Sequence, residues 1–443
     1  MVLDRIYSDL FKNFIFFPMA KIVGYNIRNY YLQFRKTQWL SIEELKEHQE
    51  KKINRIIKIA STNVSYYQEL FKTKNKPLTL LDFPIISKEI IKKNALDNFI
   101  NNNFKGKLIL KSSSGSTGEP LQYYVDQDWK ASKIASWIRN LEWTGYKIGD
   151  PYVNVTGFPH GFFKKYPIIF TIEQKFFRLN NISPFELNDQ SIIDIVEKIK
   201  KARVNLIRGY ASSLYEIAKF IKENNIKLNI KSIVTTGETL FNEQRETIKN
   251  SFNGKVYDEY GVDAGLIAFQ CKFGSYHINC ENMYIEIVDD NLKPCKLGQE
   301  GQIVVTALSL FGFPLIRYNT EDIGSLSDIN CPCGRGLPIL KKIQGRISDR
   351  IITGNGKIIT IHMFTGLFMP INEIDQFRIR QKNPNRFIFD LKIKQTFNNE
   401  LSTFLREKIS ILLGDNVEFD INFVENVELH ETNAKRKFFI RDF

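Results

Sequence analysis

Short strand-like runs alternate with amphipathic helix patterns through the middle of this chain, and this alternation constrains the fold most. The strand candidates are Tyr152–Thr156, Val204–Arg208, Ile230–Thr235 and Lys255–Tyr260. The helix candidates around and between them are Gln127–Thr144, Ser191–Lys201, Ser212–Glu223 and Asn242–Ser251. Strands that alternate with helices favour a mainly parallel sheet covered by helices. We therefore expect a layered α/β domain.

The pattern differs on either side of this region. Residues 1–105 indicate helices and connectors, with an amphipathic helix at Ile42–Ile59. After Gly261 the pattern becomes β-rich, with strands expected at Met283–Val288, Gly301–Ala307 and Pro314–Tyr318. These segments predict a helical part at 1–105 and a core with a β-rich subdomain at 106–345.

A third part is expected from residue 346 onward. Residues 351–359 predict a hairpin, because glycines interrupt two β-branched runs. The rest predicts an α+β module, whose elements are strands Phe377–Arg380 and Phe387–Ile393, helix Glu400–Leu412 and strand Val417–Phe423. We expect residues 346–443 to form a small, mobile C-terminal lid domain.

The net charge and the cysteine count limit the partners and the cellular compartment that we expect for this protein. The 443 residues carry a net charge of +13, but the basic residues are scattered and none of the usual nucleic-acid motifs is present. We therefore expect no nucleic-acid partner. Five cysteines, an odd number, favour a reducing compartment over a disulfide framework. The opening residues show no secretory signal, so a cytoplasmic location is expected.

The run from Leu10 to Tyr25 is rich in Phe and Ile but contains Lys12, Pro18 and Lys21, which makes it too short and too charged to span a bilayer. Two interpretations remain. The segment packs as a helix on the main domain, which we favour, or it contacts the inner face of a membrane through its aromatic side chains.

A loop of small hydroxyl residues and glycines, Ser112 to Glu119, lies between two strand-like runs. Backbone N–H groups in such a loop can converge into a nest that binds phosphate oxygens. The nucleoside triphosphatase pattern G-x-x-x-x-G-K-[ST] is absent. On its own, the segment is more typical of a Ser/Gly-rich surface loop without a ligand.

This loop and the motifs that follow it, taken in order, resemble the adenylate-forming acid ligases, in particular the phenylacetate–coenzyme A ligase branch and its CapK-type relatives. The resemblance assigns the phosphates of ATP to Ser113, Ser114, Gly115, Ser116, Thr117 and Gly118. This sequence differs from the family pattern at Glu119, where the family often has Lys.

Two motifs then resemble the family's adenine-binding segments. Gly237 and Glu238 occupy the adenine-contacting turn, and Tyr260 with Gly261 matches the Tyr-Gly motif in which the ring stacks on adenine. The family's magnesium-binding Glu position holds Ala264 here. Asp263, one residue earlier, is the candidate replacement.

Three further segments complete the resemblance. Residues 317–322 match an R-Y-x-T-x-D motif, which implies nucleotide contacts for Arg317 and for Asp322, whose carboxylate suits two ribose hydroxyls. Arg346 matches the family's hinge, where it would reach phosphate or ribose. Lys435 matches the lysine that bridges the carboxylate and the α-phosphate.

Cys271, His277, Cys331 and Cys333 supply four ligands, enough for a closed tetrahedral zinc site. Cys280 could replace His277. The alternative is a set of reduced residues on neighbouring loops.

The resemblance implies an ATP- and magnesium-dependent, AMP-forming ligase that activates a small carboxylic acid and transfers it to coenzyme A or an amine, with surface-polysaccharide synthesis as one setting. Residues 152–163 would form one wall of the acyl pocket. Two other functional classes are compatible with the sequence. One is a catalytically impaired nucleotide- or acyl-binding paralogue, indicated by Glu119 and Ala264. The other is a membrane-associated polysaccharide assembly protein that docks through its N-terminus.

Overall fold

The structure is a computed structural model that describes residues 2–74, 76–112, 121–156, 177–182, 188–262, 264–346, 350–354, 358–369, 371–394, 398–414, 416–427 and 438–443. The α-helices are α1 Val2–Leu10, α2 Phe17–Ile22, α3 Ile27–Thr37, α4 Ile42–Asn63, α5 Ser65–Phe71, α6 Lys88–Lys93, α7 Gln127–Glu142, α8 Asp189–Ala202, α9 Ala211–Glu223, α10 Asn242–Phe252, α11 Ile361–Phe368 and α12 Asn399–Leu413. A π-helical turn, Phe11–Phe16, joins α1 to α2.

The strands are β1 Ile109–Ser112, β2 Gln122–Val125, β3 Tyr152–Val155, β4 Leu179–Ile182, β5 Leu206–Tyr210, β6 Ser232–Thr236, β7 Lys255–Val262, β8 Gly265–Gln270, β9 Tyr276–Ile278, β10 Met283–Val288, β11 Gly301–Ala307, β12 Tyr318–Leu326, β13 Ile339–Arg346, β14 Arg350–Ile352, β15 Ile358–Thr360, β16 Ile374–Asn383, β17 Arg386–Ile393, β18 Glu418–Phe423 and β19 Phe439–Arg441.

Eleven of the described strands form one mixed sheet in the order β10-β11-β12-β13-β9-β8-β7-β6-β5-β3-β4. Strands β4, β3, β5, β6 and β7 are parallel, as the alternation with helices predicts. On the other side of β7, across the sheet from β7 to β10, each strand is antiparallel to its neighbour. The expected α/β layer and β-rich subdomain thus share a single sheet, with β7 at the change of direction.

Local sequence explains why the long helices begin where they do. Ser41 and Glu44 form a capping box at the start of α4, with the Ser41 N–H donating to Glu44 at 2.8 Å and the Glu44 N–H donating to Ser41 at 3.2 Å. Asp126 caps α7 by accepting from the Trp129 N–H at 2.8 Å. The same carboxylate accepts from the N–H groups of Phe311 and Gly312, each at 2.7 Å, so this cap also anchors a distant loop.

One strand prediction is wrong, and the described strands β4, β8, β9, β13 and β19 were not predicted. The segment Pro314–Tyr318 is not a strand; β12 begins only at Tyr318 and continues to Leu326. Pro314 lacks an N–H, and Arg317 has a left-handed φ of 49°, so the extended ladder cannot start earlier. Strand β19 was not predicted. It has three residues and depends on parallel pairing with β16, far away in sequence.

The N-terminal helices pack on the main domain, which confirms the favoured interpretation of this segment. Phe11, Phe17 and Ala20 lie in one buried cluster with Ala135 and Ile138 of α7. Several apolar residues of these helices remain exposed, namely Ile6, Leu10, Phe14, Met19, Ile22 and Val23. Among the described residues, none of the helices has the length and apolar character needed to cross a membrane. Contact with a membrane surface stays a prediction.

The C-terminal residues have a separate four-stranded sheet, β18-β17-β16-β19, and the predicted hairpin is present as β14 and β15. Their apolar cluster includes Phe364, Phe377 and Phe389, and Phe241 of the preceding region joins it. Lys219 on α9 donates to the Asp375 carboxylate at 2.5 Å. The division of the chain after residues 105 and 345 stays a prediction. Arg346 is the last residue of β13, so the second boundary falls at a strand end.

A fully buried guanidinium joins α7 to the sheet. Arg139 donates to the Glu281 carboxylate at 2.8 Å and to the Asn279 side chain at 2.5 Å. Thr37 of α3 donates to the same Glu281 oxygen at 2.8 Å. The network therefore connects α3, α7 and the loop between β9 and β10.

We expect Arg139→Leu to lower the free energy of unfolding by about 3–5 kcal/mol, because it leaves Glu281 buried without its cation. Urea denaturation followed by circular dichroism measures this change. Lys249→Met, which removes an exposed ion pair with Glu246, is the control and should cost less than about 1 kcal/mol. Equal losses in the two variants would contradict the assignment of a structural role to Arg139.

Candidate functional site

The predicted motifs meet at the carboxyl ends of the parallel strands. The first turn of α9 follows β5, the predicted residues Gly237 and Glu238 follow β6, and Tyr260 lies near the end of β7. In an open parallel sheet these ends share one edge, and this edge is where such folds bind ligands.

Glu238 connects the turn after β6 to the start of α9. Its carboxylate accepts from the Ser212 N–H at 2.8 Å and from the Ser212 hydroxyl at 3.0 Å. Ser212 lies in the first turn of α9, where N–H groups lack helical partners and a negative charge is favoured. Gly237 has a φ of +73°, a conformation that favours glycine and lets the chain turn toward the helix. Glu238 therefore fixes the relative position of the two loops.

Tyr260 and Asp322 are in direct contact. The Tyr260 hydroxyl donates to Asp322 Oδ2 at 2.6 Å across 62 residues of sequence. The pairing of β7 with β8 shifts register between Tyr260 and Gly261, and a Cβ on Gly261 would lie 3.1 Å from the Gly265 carbonyl oxygen. The two residues that the sequence assigns to adenine and ribose thus lie side by side.

Arg346 is brought to the same place by sheet pairing. In the antiparallel ladder of β12 and β13, Asp322 is the register partner of Arg346. Asp322 is buried, and its N–H donates to the Thr320 hydroxyl at 3.1 Å. Three predicted site positions, Tyr260, Asp322 and Arg346, therefore share one corner of the sheet.

Arg317 has a different environment. Its guanidinium forms a buried, bidentate pair with Glu286, with both N–O distances at 3.1 Å, and it donates to the Phe83 carbonyl at 2.9 Å. These contacts attach the N-terminal region to the β-rich part of the sheet. A nucleotide contact for Arg317 stays a prediction.

Several predicted residues lie outside the described part of the chain: Ser113, Ser114, Gly115, Ser116, Thr117, Gly118, Asp263 and Lys435. Their assignments stay predictions. Strands β1 and β2, which flank the Ser/Gly loop, form an antiparallel pair with Ser112 opposite Gln122.

The four predicted metal ligands form one cluster. Their ligand atoms all lie within 4.8 Å of one another. Cys271 Sγ and Cys331 Sγ are 3.5 Å apart, and Cys333 Sγ is 3.2 Å from His277 Nε2. Cys280 is not in the cluster; it is buried in the large apolar core instead. Of the two open candidates for the fourth ligand, the structure therefore brings His277 to the site.

This arrangement fits a tetrahedral zinc ion. Zn–S bonds of about 2.3 Å and Zn–N bonds of about 2.0 Å imply ligand atoms roughly 3.5–3.8 Å apart. His277 Nδ1 is 3.3 Å from the Leu337 carbonyl oxygen, which leaves Nε2 directed at Cys333. Burial lowers the pKa of His277 to about 4, so the imidazole is neutral near pH 7, as a metal ligand must be.

The sequence analysis did not predict one polar group at this edge of the sheet, the pair formed by Arg208 and Glu259. Arg208 on β5 donates to Glu259 Oε1 at 2.5 Å, and the Thr236 hydroxyl donates to the same oxygen at 2.9 Å. Arg208 also donates to Asn154 Oδ1 at 3.4 Å, and Asn154 donates to Asn181 at 2.9 Å. Period-two spacing of polar residues at strand ends is the signal that could have indicated it.

The chain is similar to several known proteins. The family described as the CapK C-terminal domain matches residues 351–442. Protein CapK of Staphylococcus aureus is 24% identical over 436 residues, 92% of each chain. Phenylacetate-coenzyme A ligase of Pseudomonas putida is 25% identical over 335 residues, 70% of this chain and 73% of that one. A crystal structure of 2-hydroxyisobutyryl-CoA ligase in the postadenylation state has a TM-score of 0.73 at 16% identity and covers 92% of each chain.

The chain has the fold of 2-hydroxyisobutyryl-CoA ligase, and its sequence is similar to that of phenylacetate-coenzyme A ligase. The similarity to Protein CapK extends over both the large sheet and the C-terminal residues, where the CapK C-terminal domain family matches.

Proposed function

We propose that this protein is an AMP-forming ligase that activates a carboxylic acid as its acyl-adenylate. The observation that carries the proposal is the contact between Tyr260 and Asp322, with Arg346 opposite Asp322 in the sheet. Residues assigned to adenine, ribose and the hinge come from three separate segments. Their convergence is what a nucleotide site requires and what an unrelated surface turn does not need.

The reaction has two steps. A carboxylate oxygen attacks the α-phosphorus of ATP, the bond to the β-phosphate oxygen breaks, and pyrophosphate leaves. The acceptor then attacks the acyl carbonyl, the bond to the phosphate oxygen breaks, and AMP leaves. Both reactants of the first step are anions, so the site must supply oriented N–H groups and positive charge.

Several of the predicted residues have a role in this proposal. The Asp322 carboxylate accepts from the ribose hydroxyls, and the Tyr260 hydroxyl holds that carboxylate in position. The N–H groups of residues 113–118 bind phosphate oxygens, and Lys435 neutralises charge between the carboxylate and the α-phosphate. Arg346, the last residue of β13, would contact phosphate or ribose, as the resemblance implies.

Magnesium, when bound, would neutralise phosphate charge, and Asp263 is the residue that would hold it. The neighbouring Ala264, at the family's Glu position, is buried, and its carbonyl accepts from the Trp129 indole N–H at 2.8 Å. A metal ligand is therefore not supplied from position 264 in this chain. Ala264 and Glu119 both differ from the family pattern, and these two differences favour a second candidate function, a catalytically impaired paralogue that binds a nucleotide or an acyl group.

The acceptor is coenzyme A or an amine. The phenylacetate-coenzyme A ligases among the relatives favour coenzyme A, and the similarity to Protein CapK supports a setting in surface-polysaccharide synthesis.

ATP–pyrophosphate exchange, screened with aryl, fatty, amino and sugar acids, tests the proposal. We expect exchange with at least one class, and we expect Asp322→Ala to weaken ATP binding by about 2–4 kcal/mol through the loss of two charge-assisted hydrogen bonds. The exposed Asp328, six residues further along, supplies the control Asp328→Ala, which should leave ATP affinity unchanged. ATP binding without exchange by any acid would favour the paralogue.

We also propose that the Cys271, His277, Cys331 and Cys333 cluster holds one structural zinc ion. The four ligands fill a tetrahedral shell and leave no open position for substrate. The cluster joins the segment between β8 and β9 to the segment between β12 and β13, so its role would be to fix strands that carry the candidate nucleotide site.

Purified protein should contain about one equivalent of zinc by elemental analysis. Cys271→Ser and Cys331→Ser should each lose the metal and lower the melting temperature by roughly 5 °C or more, because binding energy at such a site is also folding energy. Cys295→Ser is the matched control, since Cys295 lies outside the cluster. Metal-free protein with full stability would show that the four residues are ordinary reduced side chains.

A further inference from the structure

The N-terminal helices present a row of apolar side chains on their exposed side. Helix α1, the π-helical turn and α2 follow one another without a break from Val2 to Ile22. Side chains on their inner side, such as Phe11 and Phe17, are buried in the cluster with α7. On the other side, exposed residues recur every four positions, namely Ile6, Leu10, Phe14, Pro18 and Ile22. Residues four apart share a helix face, so these five form a stripe about 24 Å long, which we call the outer stripe.

The π-helical turn keeps the outer stripe on one face. In an α-helix a step of four residues slightly exceeds one turn, so a row at this spacing drifts around the helix. A π turn is wider, with hydrogen bonds from residue i to i+5, so the same step falls short of one turn and the row drifts back. The turn Phe11–Phe16 lies in the middle of the stripe. It therefore aligns the apolar side chains of α1 with those of α2.

The exposure of this stripe is unusual within the molecule. Phe14 is 74% exposed and Ile22 is 84% exposed, and the neighbouring Met19 and Val23 widen the apolar surface. Of 24 exposed large apolar residues in the described part of the chain, seven lie in the 18 residues from 6 to 23. Single exposed apolar residues are ordinary, but a contiguous group marks an interaction surface.

The charges around the stripe have one sign. No acidic residue occurs between Asp9 and Glu43 in the sequence. The same stretch contains five basic residues, Lys12, Lys21, Arg28, Arg35 and Lys36, and all of them except Lys12 are exposed. Asp9, near the start of the stripe, accepts from Lys147 of the main domain at 2.9 Å, so its charge is compensated. The partner of this surface must therefore be both apolar and negatively charged.

We propose that the outer stripe docks on the surface of an anionic lipid bilayer. Its apolar side chains enter the boundary between headgroups and acyl chains, and the exposed cations contact lipid phosphates. A second copy of this chain would bring the same cations against these, which is unfavourable. Packing on the main domain and contact with a membrane are thus compatible, because opposite sides of the same helices serve them. The inference is independent of the proposed function, since it uses none of the candidate site residues.

Co-sedimentation of the full chain with lipid vesicles tests this proposal. The vesicles contain phosphatidylglycerol and phosphatidylcholine in equal parts, and pure phosphatidylcholine vesicles are the comparison. We expect the partition coefficient on the anionic vesicles to be at least about 10-fold higher, because several cations act near the surface, and to fall as salt is added. Failure to bind the anionic vesicles, or equal binding to both kinds, would overturn the proposal.

Serine substitutions test whether the outer stripe is the surface that binds. The triple variant Leu10→Ser, Phe14→Ser, Ile22→Ser removes three exposed apolar side chains. It should lower the partition coefficient at least about 10-fold and leave the melting temperature unchanged. The matched control is Leu81→Ser, Leu297→Ser, Ile329→Ser, in which the replaced side chains are comparably exposed but lie elsewhere. Equal losses in the two variants, or wild-type binding by both, would contradict the assignment.

Charge reversal tests the role of the cations. The double variant Lys21→Glu, Arg28→Glu should lower binding to the anionic vesicles at least about 10-fold, because each cation contributes through its attraction to the surface. The control Lys222→Glu, Lys293→Glu changes the net charge equally at exposed positions outside the segment and should bind like the wild type. Wild-type binding by the first variant would overturn the assignment to an anionic surface.

A fluorescence measurement distinguishes insertion into lipid from other contacts of this face. In Phe14→Trp the added emission should shift to shorter wavelength when anionic vesicles are present, and in Leu297→Trp it should not. Emission of Phe14→Trp that does not change on binding would contradict docking through the outer stripe. Self-association without vesicles that the serine variant abolishes, combined with no vesicle binding, would assign the face to a second copy and overturn the proposal.

Discussion

The hydrogen bond from Tyr260 to Asp322 is the interaction on which the candidate site depends. It joins the end of the parallel strands to the antiparallel half of the sheet, because Tyr260 lies on β7 and Asp322 on β12. Without it, the tyrosine and the carboxylate would lie on two separate strands with no hydrogen bond between them. With it, they form one surface of fixed geometry, which is what preorganised binding of a nucleotide requires.

The rest of the sheet supports this contact. Between β7 and β12 lie β8, β9 and β13, and the Cys/His cluster connects the segments that enter and leave these strands. Asp126 and Arg139 hold α7 against the same half of the sheet through hydrogen bonds to residues 279, 281, 311 and 312. The position of the site is therefore fixed by contacts between segments that are distant in sequence.

Much of this could be predicted from the sequence. Helices with clear caps and strands with clear apolar runs lie close to their predicted bounds; Met283–Val288 and Gly301–Ala307 match those bounds at both ends. Tyr260 and Asp322 were assigned to one nucleotide, and the structure brings them together. The resemblance to a family's ordered motifs carried that information, since it assigned both residues to the same nucleotide.

Other features depend on pairing that no local pattern encodes. The Arg208–Glu259 pair is visible only when β5, β6 and β7 are known to be neighbours in a given register. His277 rather than Cys280 joins the metal cluster because β9 pairs with β13, which places His277 opposite Ile339. Arg317 matched a motif, yet its contacts with Glu286 and Phe83 depend on tertiary packing.

A double-mutant cycle on ATP affinity tests the central claim most directly. Tyr260→Phe, Asp322→Asn and the double variant are titrated with ATP by calorimetry. If the Tyr260 hydroxyl positions the Asp322 carboxylate for the nucleotide, the two substitutions are non-additive, with a coupling energy of about 0.5–3 kcal/mol. Strictly additive effects, or wild-type ATP affinity in all three variants, would contradict the account.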